Sequence, residues 1–387
     1  MKENLISYGG ELVLDKVKIN GKMLSDIIES KEKCINCKLC YKECPMMDNF
    51  CKSPRDLMGK IIDDGEFDKL LPYSCMLCNK CSEVCPKGVD LKSVFYDMRK
   101  DMFLNHRKEL NSIGYKIVKY HQKSSFVPIF SSKVKQKSVK RVFIPGCSLS
   151  SYSNEIVYGA YNYLKNIFDN IELVVKCCGK PTLDVGDSVG FKNYYSQIDR
   201  IIQEKNVEEV IVACSNCYKT IKNNSPNVKV KMIWEVIHEY GLPSNLKDFY
   251  KDLDIKFALH DPCPIKEEDN VHNSVREVLN YLGVSYVEFD KNRRNTECCG
   301  YGAMVGVFNN ELAIKQMNKR ANSVDTQYII SYCESCVEAM LMAKKNSLHV
   351  LDFIFNRDIL NKKCFSQSLK SFSSKWVERY KAAKIES

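Results

Sequence analysis

The chain has 387 residues, is 44% hydrophobic and carries a formal net charge of +10. This length and composition suffice for roughly two or three packed domains. The N-terminal sequence MKENLISYGGELVLDKVKING lacks an apolar signal region, and no run of about 18 apolar residues occurs, so we expect neither export nor a membrane span.

The charge and the cysteine content narrow the class of protein further. The basic residues are scattered, without the aromatic interleaving or motif of a nucleic-acid binder, so no nucleic-acid partner is expected. We expect a cytoplasmic protein, and peripheral membrane association through a partner stays open. Twenty cysteines in such a chain indicate metal ligation or redox chemistry, because disulfides are rare in reducing compartments.

Two cysteine runs with the spacing C-x2-C-x2-C-x3-C-P lie near the N-terminus. Thiolates are soft anionic ligands, and in two-cluster ferredoxins three cysteines of a run hold one 4Fe-4S cube while the fourth reaches the other. We therefore predict two cubane clusters. The first cubane set is Cys34, Cys37, Cys40 and Cys85, and the second cubane set is Cys44, Cys75, Cys78 and Cys81. Zinc is the alternative for a lone C-x2-C, but a doubled run ending in Cys-Pro does not favour it.

The stretch between the two runs, DLMGKIIDDGEFDKLL, has a helical pattern rather than that of a short hairpin. Residues 1–118 therefore resemble the helical dicluster ferredoxin module of electron-transfer subunits such as those of fumarate reductase. The following segment, 119–140, is rich in Lys and Ser and has no sustained apolar stripe. We interpret it as a linker.

Short β-rich runs and helical patterns alternate over residues 141–245. RVFIPGC predicts a strand, and SYSNEIVYGAYNYLKNIFD predicts a helix with Ser153 or Asn154 as its N-cap. IELVVKCCG and VEEVIVAC predict further strands on either side of the helix FKNYYSQIDRIIQEK, and another helix follows Cys217. This alternation favours a mostly parallel sheet covered by helices.

The same order of patterns recurs over residues 255–361, which predicts an internal duplication. The strands are predicted at IKFALHDPC, VSYVEF and TQYIISYC, and the helices at VHNSVREVLNYLG, NNELAIKQMNKRANSV and from Cys336 onward. The cysteines fix the register of the two repeats. The first CCG set is Cys147, Cys177, Cys178, Cys214 and Cys217, and the second CCG set is Cys263, Cys298, Cys299, Cys333 and Cys336. Residues 362–387 are interpreted as a helical or frayed tail.

Each repeat reads C, then CCG, then C-x2-C, with flanking sequences IPGCSLSSY, CCGKP and ACSNCYKTIK in the first and HDPC, CCGYGAM and SYCESCVEAM in the second. The repeats resemble the paired cysteine-rich (CCG) domains of the heterodisulfide reductase superfamily. That superfamily also includes iron-sulfur subunits of anaerobic glycerol-3-phosphate dehydrogenase, glycolate oxidase and lactate oxidation complexes. The resemblance covers nearly the whole chain and implies a multidomain fold, an α-helical dicluster ferredoxin domain followed by two duplicated α/β CCG domains.

The resemblance also implies cofactors and a reaction. In heterodisulfide reductases such five-cysteine sets hold noncubane 4Fe-4S clusters, at which a disulfide is split into two thiols by successive one-electron steps. Both sets are complete here, so one or two further, noncubane clusters are expected, with zinc or apo thiols as the alternatives. Candidates for the reacting centre are Cys177, Cys178, Cys298 and Cys299. Cys51 and Cys364 fall outside all four sets and are interpreted as incidental thiols.

Three other residues are weighed for a role near the clusters. His260 and Asp261 precede Cys263 at a predicted strand end, where they would either donate protons, orient a cluster ligand or make structural hydrogen bonds. His349 lies in a β-rich run, and a role in the core or in supporting a ligand is preferred over a catalytic role. No Gly-rich dinucleotide fingerprint occurs, so a flavin or nicotinamide site would belong to a partner.

These patterns predict an iron-sulfur oxidoreductase that exchanges electrons between two cubanes and the CCG clusters, with disulfide and thiol chemistry like that of heterodisulfide reductase. The redox partner is expected to be a flavoprotein or a ferredoxin. The alternative is an electron-relay subunit of a flavin dehydrogenase for glycerol-3-phosphate, glycolate or lactate. A third, non-redox alternative is that the CCG domains are zinc-bound interaction modules.

Overall fold

The first part of the chain is helical in the computed structural model, which describes residues 16–132, 134–356 and 367–385. It also contains a short antiparallel pair, β1 (Lys16–Lys18) with β2 (Glu66–Asp68). Its helices are α1 (Gly21–Lys33), α2 (Leu39–Glu43), α3 (Pro45–Phe50), α4 (Pro54–Asp64), α5 (Lys80–Glu83), α6 (Leu91–Asn105), α7 (Arg107–Ser112) and α8 (Tyr115–Ser124). The predicted helix between the cysteine runs therefore ends at Asp64, because Gly65 adopts a left-handed conformation (φ 66°) and the chain continues into β2.

The segment interpreted as a linker, 119–140, is structured over much of its length. Helix α8 extends into it and buries Val118 and Gln122, and a short 3-10 turn follows at Pro128–Phe130. Ser125 is fully buried as well. Residues 119–130 thus pack on the protein in part, and the polar side chains on their buried face leave no apolar stripe in the sequence.

The first CCG repeat forms a four-stranded parallel sheet with helices packed on it. Its strands are β3 (Arg141–Ile144), β4 (Ile171–Leu173), β5 (Glu209–Val212) and β6 (Lys229–Met232), in the order β4-β3-β5-β6. The helices are α9 (Cys147–Tyr152), α10 (Asn154–Ile167), α11 (Lys180–Asp184), α12 (Ser188–Glu204), α13 (Ser215–Asn224) and α14 (Ile233–Tyr240). Ser153 is the N-cap of α10 and accepts the backbone N–H of Ile156 at 3.3 Å. The edge strand β6 was not predicted, because its lysines alternate at a half-exposed edge.

The second CCG repeat has a parallel sheet of the same strand order. Its strands are β7 (Phe257–His260), β8 (Tyr286–Glu288), β9 (Tyr328–Ser331) and β10 (Asn346–His349), arranged as β8-β7-β9-β10. The helices are α15 (Asp269–Tyr281), α16 (Val305–Phe308), α17 (Asn310–Ala321), α18 (Glu334–Met342) and α19 (Asp352–Phe355). In both sheets the first strand in sequence lies between the second and the third, so the chain reverses direction beside it. Ligand sites of open α/β sheets lie at this point, outside the carboxyl ends of the strands.

The apolar core continues across the predicted domain boundaries. One cluster of buried residues spans the first sheet and one face of the second, and includes Leu164, Trp234 and Leu279. The other joins the dicluster helices to the opposite face of the second sheet, and includes Met98 and Met317. The first CCG repeat and the dicluster helices thus pack against opposite sides of the second CCG repeat, whose own helices contribute to both clusters.

The C-terminal segment ends in a helix, Phe372–Ala383, which packs on α9 and α10 of the first CCG repeat. Its Arg379 and Ala382 are buried, so the part of the predicted tail that the structure describes is integral to that repeat. Among the described residues, no helix is both long enough and apolar enough to cross a membrane.

Candidate iron-sulfur sites

The two ferredoxin runs adopt the same unusual backbone. In the first, Asn36 and Lys38 flank Cys37 with left-handed φ angles of 56° and 60°. In the second, Leu77 and Asn79 flank Cys78 with φ angles of 51° and 69°. A left-handed conformation costs of the order of 1 kcal/mol or more per non-glycine residue, and it persists only where the surroundings impose it. Here it folds each C-x2-C-x2-C run into a loop that brings its three cysteines together.

The first cubane set converges at the surface of the dicluster domain. Its four cysteines line one recess, together with Lys38 and the apolar side chains of Met58 and Leu91. Burial and the neighbouring Cys34 and Cys85 thiols raise the pKa of Cys40 to about 11. The structure therefore brings Cys85 of the second run to the first three cysteines of the first run. Cys37 is exposed, so this set opens to solvent.

The second cubane set lies deeper, against the second CCG repeat. Burial raises the pKa of Cys75 to about 12, and the neighbouring Cys44 and Cys78 thiols add to the shift. Cys81 adjoins the same three residues. Both exchanges of the fourth cysteine that the sequence predicts are thus compatible with the geometry. A thiolate that is desolvated beside other thiolates needs a metal to be stable, which is the environment a cluster requires.

The first CCG set meets at the carboxyl edge of its sheet, where β3 and β5 diverge. Cys147 follows β3, Cys177 and Cys178 follow β4, and Cys214 and Cys217 flank the start of α13. Hydrogen bonds from Cys177 and Cys217 lower the pKa of Cys178 to about 5. The N-terminus of α13 points its positive dipole end at these sulfurs, which favours thiolate charge.

A close backbone approach at Gly146 supports the first CCG set. Gly146 has a φ of 89°, and a Cβ there would lie 2.5 Å from Cys214 Cβ. Only glycine fits this position, because the chain passes directly over the C-x2-C loop. The five donors are all sulfur and include no oxygen, so the residues present fit an iron-sulfur cluster.

The second CCG set has the same arrangement after β7, β8 and β9. The Cys298 sulfur contacts Cys263 and Cys299, and Cys299 contacts Cys336. Cys336 in turn contacts Cys333. The backbone N–H of Gly300 donates to Cys298 Sγ at 3.4 Å. All five sulfurs are therefore within one site.

His260 is the one imidazole that reaches a cysteine set among the described residues. Its ring nitrogen and the sulfurs of Cys299 and Cys336 lie within 4.8 Å of one another. Arg320 Nε donates to His260 Nδ1 at 3.2 Å, so the neutral ring carries its proton on Nε2. Burial lowers the pKa of His260, which keeps the ring neutral. Because Arg320 occupies Nδ1, the Nε2–H is the ring group left for the nearby sulfurs of Cys299 and Cys336, and it has no hydrogen-bond partner in the part of the chain that the structure describes.

Asp261 holds the loops that carry the second CCG set. Its carboxylate accepts from Arg276 at 2.8 and 3.0 Å, from the Tyr332 hydroxyl at 2.6 Å and from the backbone N–H of Arg293 at 2.6 Å. Its backbone carbonyl accepts from the Thr296 hydroxyl at 2.7 Å. Of the roles considered for Asp261, the structural one matches these contacts.

Of two further residues considered in the sequence, His349 lies away from the sulfur sets and Cys51 lies beside them. His349 is fully buried, accepts the Leu351 backbone N–H at Nδ1 at 3.2 Å and packs on Trp234. Burial lowers its pKa to about 3. Cys51 lies between the two cubane sets but donates its thiol to the Met47 carbonyl at 3.2 Å. Cys364 lies outside the described residues.

The four sets adjoin one another in a fixed order. Cys81, of the second cubane set, also lines the recess of the first. Cys78 adjoins Cys298 of the second CCG set. Cys333 of that set contacts Ser215, which follows Cys214 of the first CCG set. The order is first cubane, second cubane, second CCG and first CCG.

Several residues around the sets carry no motif in the sequence. Gln122 Nε2 donates to Cys177 Sγ at 3.3 Å from α8, far away along the chain. Lys266 is buried and donates to the Cys78 carbonyl at 3.0 Å. Arg99, Arg320 and Arg379 are buried beside three of the sets. None of these residues carried a signal in the sequence, because each one's role depends on contacts between distant segments.

Comparison with known proteins agrees with these four sets. A 4Fe-4S dicluster domain matches residues 30–89, which contain both ferredoxin runs. A cysteine-rich (CCG) domain matches twice, at 142–222 and at 257–341, and each match contains one five-cysteine set. The chain thus contains one 4Fe-4S dicluster domain and two cysteine-rich (CCG) domains, and it is similar to a heterodisulfide reductase subunit. Together, the dicluster and CCG domains indicate multiple 4Fe-4S clusters.

Several iron-sulfur proteins are similar to most of the chain. An uncharacterized iron-sulfur protein of Methanococcus maripaludis is 27% identical, covering 86% of this chain and 72% of that protein. One subunit of the fumarate reductase (CoM/CoB) of Methanothermobacter marburgensis is 24% identical over 78% of this chain and 66% of its own. One subunit of the dihydromethanophenazine:CoB--CoM heterodisulfide reductase of Methanosarcina barkeri is 22% identical, over 68% and 71%. This chain is accordingly an iron-sulfur subunit related to oxidoreductase subunits.

Proposed function

We propose that this chain is the catalytic iron-sulfur subunit of a redox complex and that it reduces a disulfide to two thiols. The observation that carries the proposal is the unbroken series of four cysteine sets, in which Cys78 of the second cubane set touches Cys298 of the second CCG set. A pure relay would need only the cubanes. Two complete CCG sets at the far end of the series are suited to a reaction that consumes two electrons.

The proposed reaction balances with two electrons and two protons. The S–S bond of the substrate breaks, each sulfur gains one electron and one proton, and two thiols leave. When bound, 4Fe-4S clusters supply one-electron transfer, and the CCG clusters provide the site of disulfide cleavage. The first and second CCG sets would hold those clusters, and the two cubane sets would hold the cubanes.

The chain's own residues would tune and shield these centres. Leu77, Val89 and Gly300 each donate a backbone N–H to a cysteine sulfur, Cys75, Cys85 and Cys298 respectively, at 3.4 Å. Hydrogen bonds to sulfur and burial are the protein's main controls over the potential of a cluster. The buried second cubane set and both CCG sets would be shielded from water, whereas the first cubane set opens at Cys37.

Electrons would enter at the exposed first cubane set. Around Cys37, the side chains of Ile35 and Leu39 are 55% and 44% exposed, and Lys38 projects beside them. An apolar patch beside a lysine fits the acidic face of a soluble electron carrier, because complementary charge accelerates encounter. The expected partner is therefore a ferredoxin or flavoprotein with an acidic docking face.

Disulfide reduction by the anaerobically purified chain tests the proposal. Reduced methyl viologen would be the electron donor, and the substrates would be a panel of disulfides that includes the mixed disulfide of coenzymes M and B. Disulfide-dependent viologen oxidation is expected in the wild type and in Cys51→Ser, and its loss is expected in Cys299→Ser. Equal rates in Cys299→Ser and wild type would contradict the proposal.

The relay alternative is favoured by one observation, the similarity to a fumarate reductase component. In that case electrons pass through this chain to or from a separate flavoprotein. The chain would then exchange electrons with such a protein at its first cubane set and show no disulfide-dependent oxidation of viologen. Metal analysis separates the zinc alternative, which requires stoichiometric zinc and little iron.

A further inference from the structure

Three arginines are fully buried without a carboxylate partner. Arg99, Arg320 and Arg379 have relative exposures of 0%, 1% and 1%. Within the described ranges 16–132, 134–356 and 367–385, none of the three forms an ion pair with an Asp or Glu side chain. Arg276 is a useful contrast, since it is also buried but pairs with Asp261 at 2.8 Å and Glu288 at 2.7 Å.

Arg379, on the C-terminal helix, is buried beside the first CCG set. Its guanidinium donates to the carbonyl of Phe130 at 3.2 Å, to the Ser125 carbonyl at 2.9 Å and to the Ser125 hydroxyl at 3.2 Å. All these acceptors are neutral. The helix packs on α9, which begins at Cys147, and the guanidinium charge acts on the sulfurs of Cys147 and Cys177.

Arg320, on α17, has the same relation to the second CCG set. It donates to His260 Nδ1 at 3.2 Å and to the Lys291 carbonyl at 2.9 Å, and it stacks 4.0 Å above the Phe289 ring. Each of these partners is neutral, and the carboxylates of Glu297 and Asp261 act on the guanidinium without forming an ion pair with it. Through His260 the guanidinium is one residue removed from Cys299 and Cys336.

Arg99, on α6, lies against the second cubane set. Its side chain donates to four backbone carbonyls: Cys75 at 2.6 Å, Asp184 at 2.7 Å, and Pro72 and Ala303 at 2.9 Å. These carbonyls belong to the dicluster domain and to both CCG repeats. One buried cation therefore meets each of the three buried cysteine sets.

A buried, unpaired charge is costly enough that proteins normally pair it or neutralise it. An arginine cannot be neutralised by losing its proton, so a negative charge has to be close by. Among the described residues, the kind of anionic neighbour that all three arginines have in common is a cysteine set. A cluster bound by thiolates carries a net negative charge, and it would complete each pairing.

We propose that Arg379, Arg320 and Arg99 are the counter-charges of the first CCG, second CCG and second cubane clusters, and that each raises the reduction potential of its own cluster. This proposal rests on the proposed function, because it requires clusters in both CCG sets. Reduction adds one negative charge to a cluster, and a cation held nearby in a low-dielectric site stabilises that charge. The arginines thus act on the reaction only through the charge of the clusters.

An EPR-monitored redox titration of the full chain tests this assignment. Cys147→Ser and Cys263→Ser each remove one CCG cluster and thereby identify its signal. Arg379→Gln should change the reduction equilibrium of the first CCG cluster at least tenfold. For a one-electron couple this is a shift of its midpoint potential by about 59 mV to more negative values. Arg320→Gln should do the same for the second CCG signal alone. Arg379→Lys should shift the midpoint less, because it keeps the charge.

Arg200→Gln is the matched control, since the Arg200 side chain is 64% exposed, and it should leave every midpoint unchanged. If Arg379→Gln loses the first CCG iron while Arg379→Lys keeps it, the proposal is supported. Retained iron with an unchanged midpoint in Arg379→Gln overturns it, and so does equal loss of iron in the Gln and Lys variants. A wild-type protein without CCG iron instead refutes the proposed function itself, before any variant is measured.

Discussion

The side chain of Cys78, in the second ferredoxin run, adjoins the side chain of Cys298 in the second CCG repeat. The backbone is equally close there, since a Cβ on Gly302 would lie 3.2 Å from the Met76 carbonyl oxygen and 3.9 Å from Cys298 Sγ. Lys266 ties the same interface by donating to the Cys78 carbonyl at 3.0 Å. The second CCG set is therefore the direct neighbour of the cubanes, and the first lies beyond it.

Replacing Cys298 should disable the CCG half of this series and spare the two cubane sets. Cys298→Ser removes the sulfur that adjoins Cys78, Cys263 and Cys299, so we expect loss of the second CCG signal and of disulfide-dependent turnover. The cubane EPR signals should keep their intensity. Cys51→Ser is the control and should retain the wild-type iron content, because Cys51 donates to a carbonyl. Wild-type turnover in Cys298→Ser would contradict the assigned order.

Gly186 should be essential for docking the first CCG repeat on the dicluster domain. It has a φ of 94°, and a Cβ there would lie 2.4 Å from the Arg99 carbonyl oxygen and 2.7 Å from the Lys100 nitrogen. Since these are backbone atoms, Gly186→Ala should cost about 2–4 kcal/mol of stability.

Gly65→Ala is the matched control for this substitution. Its φ is 66°, and nothing lies within 4 Å of the added Cβ, so only about 1 kcal/mol of backbone strain is expected. Thermal unfolding followed by circular dichroism measures both variants. Equal shifts of the two variants would show that the Arg99 contact does not constrain the interface.

Much of this architecture was predictable, and the reasons are visible in particular residues. The strands before Cys147, Cys214, Cys263 and Cys333 were predicted because buried parallel strands read as apolar runs that end in fixed motifs. The exchange of Cys85 and Cys44 between the cubane sets follows from spacing and agrees with the geometry. The β6 strand was not predicted, because lysines alternate along this half-exposed edge strand and leave no apolar run.

The buried charges could not be predicted, because their meaning depends on tertiary contacts. Arg379 and Gln122 look like ordinary surface residues in Lys- and Ser-rich sequence, yet both are buried against the first CCG set. Nothing in the local sequence distinguishes Arg320, which lies beside a cysteine set, from Arg276, which pairs with two carboxylates in the fold. Propensity and periodicity report which face is buried, but not what a buried charge meets.

A charge reversal at the rim of the first cubane set should slow electron entry. Lys38→Glu places a negative charge beside the exposed Cys37, so the rate of reduction by an acidic ferredoxin should fall about five- to tenfold at low ionic strength. Raising the salt concentration should shrink the difference, because exposed charges are screened.

Lys256→Glu is the control for this reversal. Lys256 is exposed just before β7, at the end of the sheet opposite to the cysteines, and the substitution makes the same change in net charge. Stopped-flow reduction should leave this variant at the wild-type rate. If the two variants slow equally, the effect is one of net charge, and the first cubane set is not the entry point.

Removing the clusters should loosen the C-terminal helix, Phe372–Ala383, more than helices of comparable burial. Without its anionic neighbour the buried Arg379 loses its counter-charge, so hydrogen exchange in this helix should accelerate about tenfold or more in chelator-treated protein. Helix α15 is the internal control, because its Arg276 keeps two carboxylate partners. Equal acceleration in both helices would assign the effect to general unfolding.

The proposed function requires four clusters in one chain. The decisive measurement is the quantification of iron and acid-labile sulfide in the anaerobically purified full chain, with EPR of the reduced and oxidised states. We predict about sixteen irons and about sixteen sulfides per chain, with signals from two cubanes and two further clusters. About eight irons with cubane signals alone would contradict it, because both CCG sets would then be empty of iron.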